Sequence, residues 1–221
     1  FGTPWGGKDA AEGVEKAVND EYAKGHDGRW GAGLPGSGDM QMLFLQSAID
    51  KMDDNFGRAA IIENGSPLFS GGTASGESQI RRWMLENDLI EAIIALPTDL
   101  FYNTGIATYI WVLSKNKRAE RKGKIQLIDA SSFFHKLRKA LGDKKNEISP
   151  EDRSTVTKLY AEFAENEYCK IYDNEEFIYR EYTVMQPLQR SYAITEERIE
   201  AMLSKGALSS LYDQAKVNEL E

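Results

Sequence analysis

Apolar residues along this chain follow two periods that alternate with one another. Met42, Leu45, Ile49 and Met52 stand at helical spacing, with Asp39 placed to cap that helix and Asn55 and Gly57 to end it. The run Arg58 to Asn64 is short, apolar and stopped by Asn64-Gly65, the pattern of a strand. A second helix opens at Ser75 and Glu77, shares Ile80, Trp83 and Met84 on one face, and sets Glu77 and Arg81 as an i,i+4 pair on the wet side. Glu91 to Pro97 is a buried-type strand ended by proline. Ile106 to Leu113 and Lys124 to Asp129 are further strands, separated by the charged segment Ser114 to Gly123. Helix and strand in alternation predict an α/β domain whose sheet is mainly parallel with an antiparallel edge strand.

Past Ala130 the rhythm loosens. Ser149-Pro150-Glu151-Asp152 starts a helix with Val156, Leu159, Tyr160 and Phe163 as its apolar face. Phe177 to Tyr192 is dense in aromatics and broken by Pro187, so it reads as short strands or an extended excursion. Thr195 caps a last helix carrying Ile199, Met202 and Leu203. Residues 1 to 36 hold many glycines with Trp5 and Trp30 and show little periodicity, as a long functional loop does. The expected division is therefore a loop over 1–36, the second half of an α/β domain over 37–130, and an α+β extension of helix and short strands over 131–221.

With 41% hydrophobic and 28% charged residues, the composition of the 221-residue chain is that of a folded protein. Cys169 is the single cysteine, so no internal disulfide forms; a reducing, cytoplasmic setting and a role as small core filler are expected. No apolar run approaches the roughly 20 residues of a membrane helix. The net charge of −8 argues against a broad basic DNA-holding surface, though not against a pocket that takes one extruded nucleotide. The chain opens on Phe1 and the loop-like Gly2 to Gly7, as a segment continuing a longer protein would.

Several chemical motifs fail on their context. Gly31 to Gly36 spells G-x-G-x-x-G, but no strand precedes it and Pro35 falls where the helix should start. The Ser70 to Ser78 loop precedes a helix without a following G-K-[ST]. His26 and His135 have no adjacent ligand set, so no metal site is expected. What remains are aromatic and amide residues in loops at the carboxyl ends of strands, where open α/β sheets bind ligands: Phe1 and the segment Leu96 to Gly105, with Phe101 and Tyr102. On composition, ordinary core packing is the favoured reading of both aromatics in that segment.

The string Ala95-Leu96-Pro97 to Phe101-Tyr102-Asn103-Thr104-Gly105-Ile106, followed by Ile110 to Lys115, closely resembles the modification subunit of type I restriction-modification systems, an adenine-N6 DNA methyltransferase family. Phe1-Gly2 to Trp5-Gly6-Gly7 resembles the continuation of that family's catalytic Asn-Pro-Pro-Phe/Tyr motif. Gly57 to Gly65, Gly76 to Arg81 and Lys124 to Ala130 agree as well, while Met185-Gln186 departs from the family's C-terminal pattern. The resemblance implies the C-terminal half of a Rossmann-like, S-adenosylmethionine-dependent methyltransferase sheet. It implies that Phe1 stacks on a flipped adenine, and that Phe101, or else Tyr102, packs on its other side. The family's main cofactor motif lies N-terminal to the catalytic one. Its positions here are therefore unknown, and this chain alone is expected to bind the cofactor weakly or not at all and to be inactive. DNA, a specificity subunit and a restriction subunit are the implied partners. An assembly module docking through 131–221, or an unrelated nucleotide-binding domain using Gly31 to Gly36, are the alternatives.

Overall fold

The computed structural model describes residues 3–187, 193–204 and 218–219. They fall into two units, 1–181 and 182–221. Within the first, helices α1 (Val14–Tyr22), α2 (Gln41–Lys51), α3 (Ser66–Phe69), α4 (Gly76–Glu86) and α5 (Pro150–Glu162) accompany strands β1 (Arg58–Asn64), β2 (Ile90–Ala95), β3 (Thr108–Ser114), β4 (Lys124–Asp129) and β7 (Cys169–Asp173). These strands form one sheet in the order β1-β3-β2-β4-β7. A separate hairpin pairs β5 (His135–Leu141) with β6 (Lys144–Glu147).

The predicted α/β sheet is present, and β1, β2 and β4 run the same way. β2 and β4 pair in parallel, and β7 is the antiparallel edge strand. Sequence reasoning did not foresee that β3 inserts antiparallel between β1 and β2, pairing in register from Arg58↔Ser114 to Asn64↔Thr108. Nor did it place β7 in this sheet: the chain beyond residue 130 returns to pair with β4 and belongs to the same compact unit.

The predicted caps explain where the helices begin. Ser75 accepts from the Ser78 amide at 3.3 Å, and Ser149 and Asp152 form a reciprocal capping box ahead of Pro150; Asp39 misses the expected place by one residue, because Met40 is the N-cap of α2, and it accepts from the Gln41 amide at 3.1 Å. In the second unit, α6 (Glu196–Ser204) starts at Thr195, whose hydroxyl accepts from the Arg198 amide at 3.4 Å. Two further expectations fail. The 1–36 segment is not all loop, because it contains α1, whose Val18 packs with Trp5 and Leu43. Glu77 and Arg81 do not pair with each other: Glu77 accepts from the Gly36 amide at 2.6 Å, and Arg81 donates to the Pro67 carbonyl at 3.1 Å. Both ends are captured by the neighbouring loops instead. The aromatic-rich stretch after β7 opens with a 3-10 turn, Asn174–Phe177, and then runs without regular structure to residue 187; residues 188–192 lie outside the described ones.

Two apolar layers flank the sheet. On one face, Leu45 and Ile49 of α2 and Ile80 and Met84 of α4 meet Trp111 and Leu113. On the other, Ile94, Ile128 and Cys169 meet α5 through Val156, Leu159 and Tyr160. Each fully buried aliphatic side chain contributes about 1.5–3 kcal/mol. Cys169 is buried and unbridged, as expected, and accepts from Gln126 Nε2 at 3.1 Å.

A bulge between Ile90 and Ala92 reorganises the start of β2. Strict alternation from Ile93, which packs on the α4 face, would aim Glu91 into that apolar layer. The extra residue turns Ile90 into the layer and sends Glu91 to the α5 face. There Glu91 meets the buried Arg121 at 3.6 Å, Arg58 at 3.1 Å and the Tyr160 hydroxyl. Arg121 also donates to Gln126 and the Tyr160 carbonyl and lies between the Tyr160 and Phe163 rings. Burial, then the Glu91 contact, raises the Tyr160 pKa above its ordinary value.

Candidate functional site

Because β1, β2 and β4 share a direction, their carboxyl ends bring Asn64, the segment after Ala95, and Asp129 to one edge of the sheet. This is where open α/β sheets bind ligands. The Leu96 to Gly105 segment is anchored at its base by the Leu96 amide on the Thr108 carbonyl, 2.9 Å, and closed by the Asp99 amide on the Gly105 carbonyl, 3.3 Å. Asp99 takes a left-handed conformation, φ 56°, and Phe101 bridges Thr104 across the tip.

The β5–β6 hairpin packs against this tip. The amides of Lys145 and Asn146 both donate to the Asp99 carbonyl, at 2.9 and 3.0 Å, and the Asp143 amide donates to the Tyr102 carbonyl at 2.9 Å. Buried Asn146 adds its side chain on the Thr98 carbonyl at 2.9 Å, and Lys145 Nζ reaches Asp99 Oδ1 at 3.2 Å. Gly142, at φ 65°, lies so close that a Cβ there would sit 2.4 Å from the Tyr102 carbonyl oxygen. Lys144 Nζ stands 5.5 Å from the centroid of the Tyr102 ring. The outcome for the predicted aromatics is specific. Phe101 is half-buried and Tyr102 is 65% exposed, and neither belongs to one of the apolar clusters. Core packing, the alternative reading of these two residues, is therefore not what holds them.

Phe1, the other predicted site residue, lies outside the described residues. The chain just after it is tied to the same edge: the Met40 amide donates to the Thr3 carbonyl at 3.0 Å, and the Trp5 amide to the Ser37 carbonyl at 2.8 Å. Trp5 Nε1 also donates to the Gly36 carbonyl, 3.1 Å. The 36–40 loop in turn joins the end of β1, because Gln41 Oε1 accepts from the Asn64 amide at 2.8 Å while its Nε2 donates to Asp39.

Glu63, which the sequence reading passed over, is buried at this end of β1 without a hydrogen-bond partner among the described residues. Burial, and next the negative charge of Asp39, push its carboxyl up to about 7. The signal was available: Glu63 follows Ala59 and Ile61 at strand period two, on the side facing the core. A crevice of about 250 Å³ is bounded by Gly36, Asp39, Gln41, Ser66 and Glu77, and Glu63 does not line it. Burial pushes Glu77 up, but amides of Gly36 and of Glu77 itself, the Ser75 hydroxyl and nearby Arg81 outweigh it, and its pKa lies below the ordinary value. A larger groove, about 1270 Å³, crosses the α4 face along Ile93, Leu127, Tyr172 and Tyr179; neither Phe101 nor Tyr102 lines it. Among the described residues no cluster of His, Cys, Asp or Glu could hold a metal ion, and no helix is long and apolar enough to cross a membrane.

Residues 4–198 match the family model described as N-6 DNA methylase, which takes in both the aromatic loop and the hairpin that holds it. The chain belongs to the N-6 DNA methylase family. Among relatives of this chain, the type I restriction enzyme MjaVIII methylase subunit of Methanocaldococcus jannaschii is 36% identical over 144 residues, 65% of this chain and 24% of that one. The HindI methylase subunit of Haemophilus influenzae is 35% identical over 117 residues, 53% of this chain and 25% of that one. The chain thus spans about a quarter of the length of these curated relatives. A type I restriction-modification methyltransferase subunit from Streptococcus thermophilus shares the fold with a TM-score of 0.64 at 22% identity, over 80% of this chain and 33% of that one. A modification subunit from Vibrio vulnificus YJ016 does so at 0.54 and 19%, over 80% and 34%.

N-6 DNA methylases use S-adenosylmethionine as methyl donor. In the G-x-G-x-x-G stretch the Gly36 amide is on Glu77, the Gly33 amide is on the Trp30 carbonyl, and a Cβ on Gly31 would lie 2.4 Å from the Gly25 carbonyl oxygen. The same engagements leave that loop unsuited to hold a nucleotide phosphate.

Proposed function

We propose that this chain is the catalytic-loop part of a site-specific DNA adenine-N6 methyltransferase, the modification subunit of a type I restriction-modification system. It would work in the cytoplasm beside a DNA-specificity subunit and a restriction subunit. The observation that carries this reading is the aromatic loop Leu96 to Gly105, held at the carboxyl edge of a methylase sheet with Tyr102 exposed and Phe101 half-buried.

The chemistry required there is base extrusion and restraint. The lone pair of adenine N6 is delocalised into the ring, so the base must leave the stack and be fixed while its amino group is hydrogen-bonded by groups outside this chain's described residues. Phe1 stacks on one side of the base, and Phe101, or else Tyr102, packs on the other. Stacking of this kind is worth about 1–3 kcal/mol per base. Asp99 and the hairpin keep the loop in place, so ordering it is not charged against binding. The chain by itself binds S-adenosylmethionine weakly or not at all, because the family's main cofactor motif lies N-terminal to the catalytic one; isothermal calorimetry on the chain checks this.

The test is methyl transfer to DNA by the longer methylase subunit containing this segment, assembled with its specificity subunit. Phe101→Ala and Tyr102→Ala are each compared with the unchanged protein. Loss of a base-stacking contact lowers kcat/KM by about 5- to 100-fold. Normal methylation by both variants and by Phe1→Ala removes the stacking assignments. Absence of any adenine methylation by the unchanged assembly removes the function.

A second reading is favoured by the exposure of Tyr179, Tyr182, Val184 and Met185, four large apolar side chains in irregular backbone. It makes residues 131–221 a docking region for the partner subunits.

A further inference from the structure

Two short segments of this acidic chain are rich in cations, and they lie at opposite ends of the sheet. One, 115–124, leads into the amino end of β4, and four of its six cations are paired, while Arg118 and Lys122 are exposed without a carboxylate partner among the described residues. Lys115 pairs with Asp54 at 2.6 Å, Lys117 with Asp88 at 2.5 Å, Arg121 with Glu91 at 3.6 Å and Lys124 with Asp173 at 2.8 Å. The other is the β5–β6 hairpin, docked on the aromatic loop at the carboxyl edge. Its β6 cations are committed: Lys145 reaches Asp99, and Lys144 stands over Tyr102 and 3.8 Å from Glu147. Its β5 cations are not. Lys136, Arg138 and Lys139 are exposed and have no carboxylate partner among the described residues.

Lys136, Arg138 and Lys139 put three exposed positive charges on one strand of a chain whose net charge is −8, and a local strip of that sign attracts a polyanion. The strand is also no free-swinging arm. The hydrogen bonds of Asp143, Lys145 and Asn146 to Asp99, Tyr102 and Thr98 make it one body with the loop that presents Phe101 and Tyr102. Cations fixed at a set distance from a base-holding loop are what registers a nucleic-acid backbone, since phosphate contacts position and base contacts specify.

We infer that the β5–β6 hairpin holds the phosphodiester backbone of duplex DNA next to the extruded base, with Lys136, Arg138 and Lys139 as its phosphate contacts. This rests on the methyltransferase function proposed above. It also reconciles an acidic chain with a DNA substrate, because the contact is a short local strip and not a broad basic face.

The test measures affinity for duplex DNA of the complete methylase assembly between about 50 and 200 mM salt, the range over which counterion release is read. The unchanged assembly is compared with Lys136→Gln/Arg138→Gln/Lys139→Gln and with the charge-keeping Lys136→Arg/Lys139→Arg. The three side chains have no partner to lose, so the thermal midpoint stays put. Removing three phosphate contacts weakens binding by about 10- to 50-fold and makes the slope of log affinity against log salt shallower by up to about 3. The arginine variant binds as the unchanged protein does. Unchanged affinity and slope in an assembly that still methylates adenine overturn the hairpin assignment and leave the function standing. So does retained DNA affinity with loss of the co-purifying specificity subunit, which would make the strip a protein-docking surface. An unchanged assembly that neither binds nor methylates DNA overturns the function, and this inference with it.

Discussion

Asn146 donates from its buried side chain to the Thr98 carbonyl at 2.9 Å, one of the contacts that join the β5–β6 hairpin to the loop bearing Phe101 and Tyr102. Its backbone amide reaches Asp99 in the same loop at 3.0 Å, so one residue fixes two consecutive positions of the candidate site.

Asn146→Ala removes the side-chain donor to the carbonyl of the exposed Thr98 and is expected to cost about 0.5–1.5 kcal/mol. Hydrogen exchange should quicken at the Asp99 and Asn146 amides before the central strands are affected. Equal protection of these amides in both proteins would show that the backbone contacts suffice.

Gly76 begins α4 directly against the 33–36 loop, and a Cβ there would lie 1.6 Å from the Leu34 carbonyl oxygen. Backbone must therefore move in Gly76→Ala, which should lower stability by at least about 2 kcal/mol despite alanine's better helix propensity. Urea denaturation measures it; a neutral or stabilising effect would mean the loop yields freely.

Arg121 is buried with Glu91 and lies between two aromatic rings. Arg121→Met strands a buried carboxylate with only Arg58 and Tyr160 to answer it, and the expected loss is about 3–5 kcal/mol. The double variant Arg121→Met/Glu91→Met should recover much of that, because it removes both charges. Failure of the double variant to recover stability would place the loss in ring packing.

Glu63 carries the pH dependence. Its folded pKa of about 7 lies above the ordinary 4.5, so the folded state holds the proton more tightly than the unfolded chain. Folding stability is therefore highest at acid pH with respect to this group, falls as pH rises from about 4.5 to about 7, and levels off above. The full swing is about 3 kcal/mol. Glu63→Gln removes it and raises the thermal midpoint at pH 8 by several degrees, at about 2–4 °C per kcal/mol for a chain this size. Parallel stability curves for the two proteins across pH 5 to 8 would refute it.

Much of this organisation is legible from local sequence. Ser75, Ser149 and Thr195 begin helices where their hydroxyls accept backbone amides, and Arg58 to Asn64 and Lys124 to Asp129 are strands with the expected bounds. Such features depend on a few consecutive residues. The helix α1 was hidden because glycines surround it and Val18 is its one buried side chain. Glu77 and Arg81 misled because i,i+4 spacing guarantees closeness, while Gly36 and Pro67, distant in sequence, offered better partners.

At the candidate site the sequence by itself determined the residue types: an aromatic-amide string between two strands, in a family whose members work on DNA adenine. Tertiary structure alone decided how that string is held. β3 slides between β1 and β2, β7 returns from beyond α5, a bulge turns Glu91 away from the apolar layer, and the β5–β6 hairpin closes on Asp99 and Tyr102. The physical reason is range. Caps, turns and periodicity are satisfied by near neighbours and so leave a mark in sequence. Strand order, buried charge pairs and loop clamps instead join residues well separated along the chain, and their partners exist only once the chain has folded.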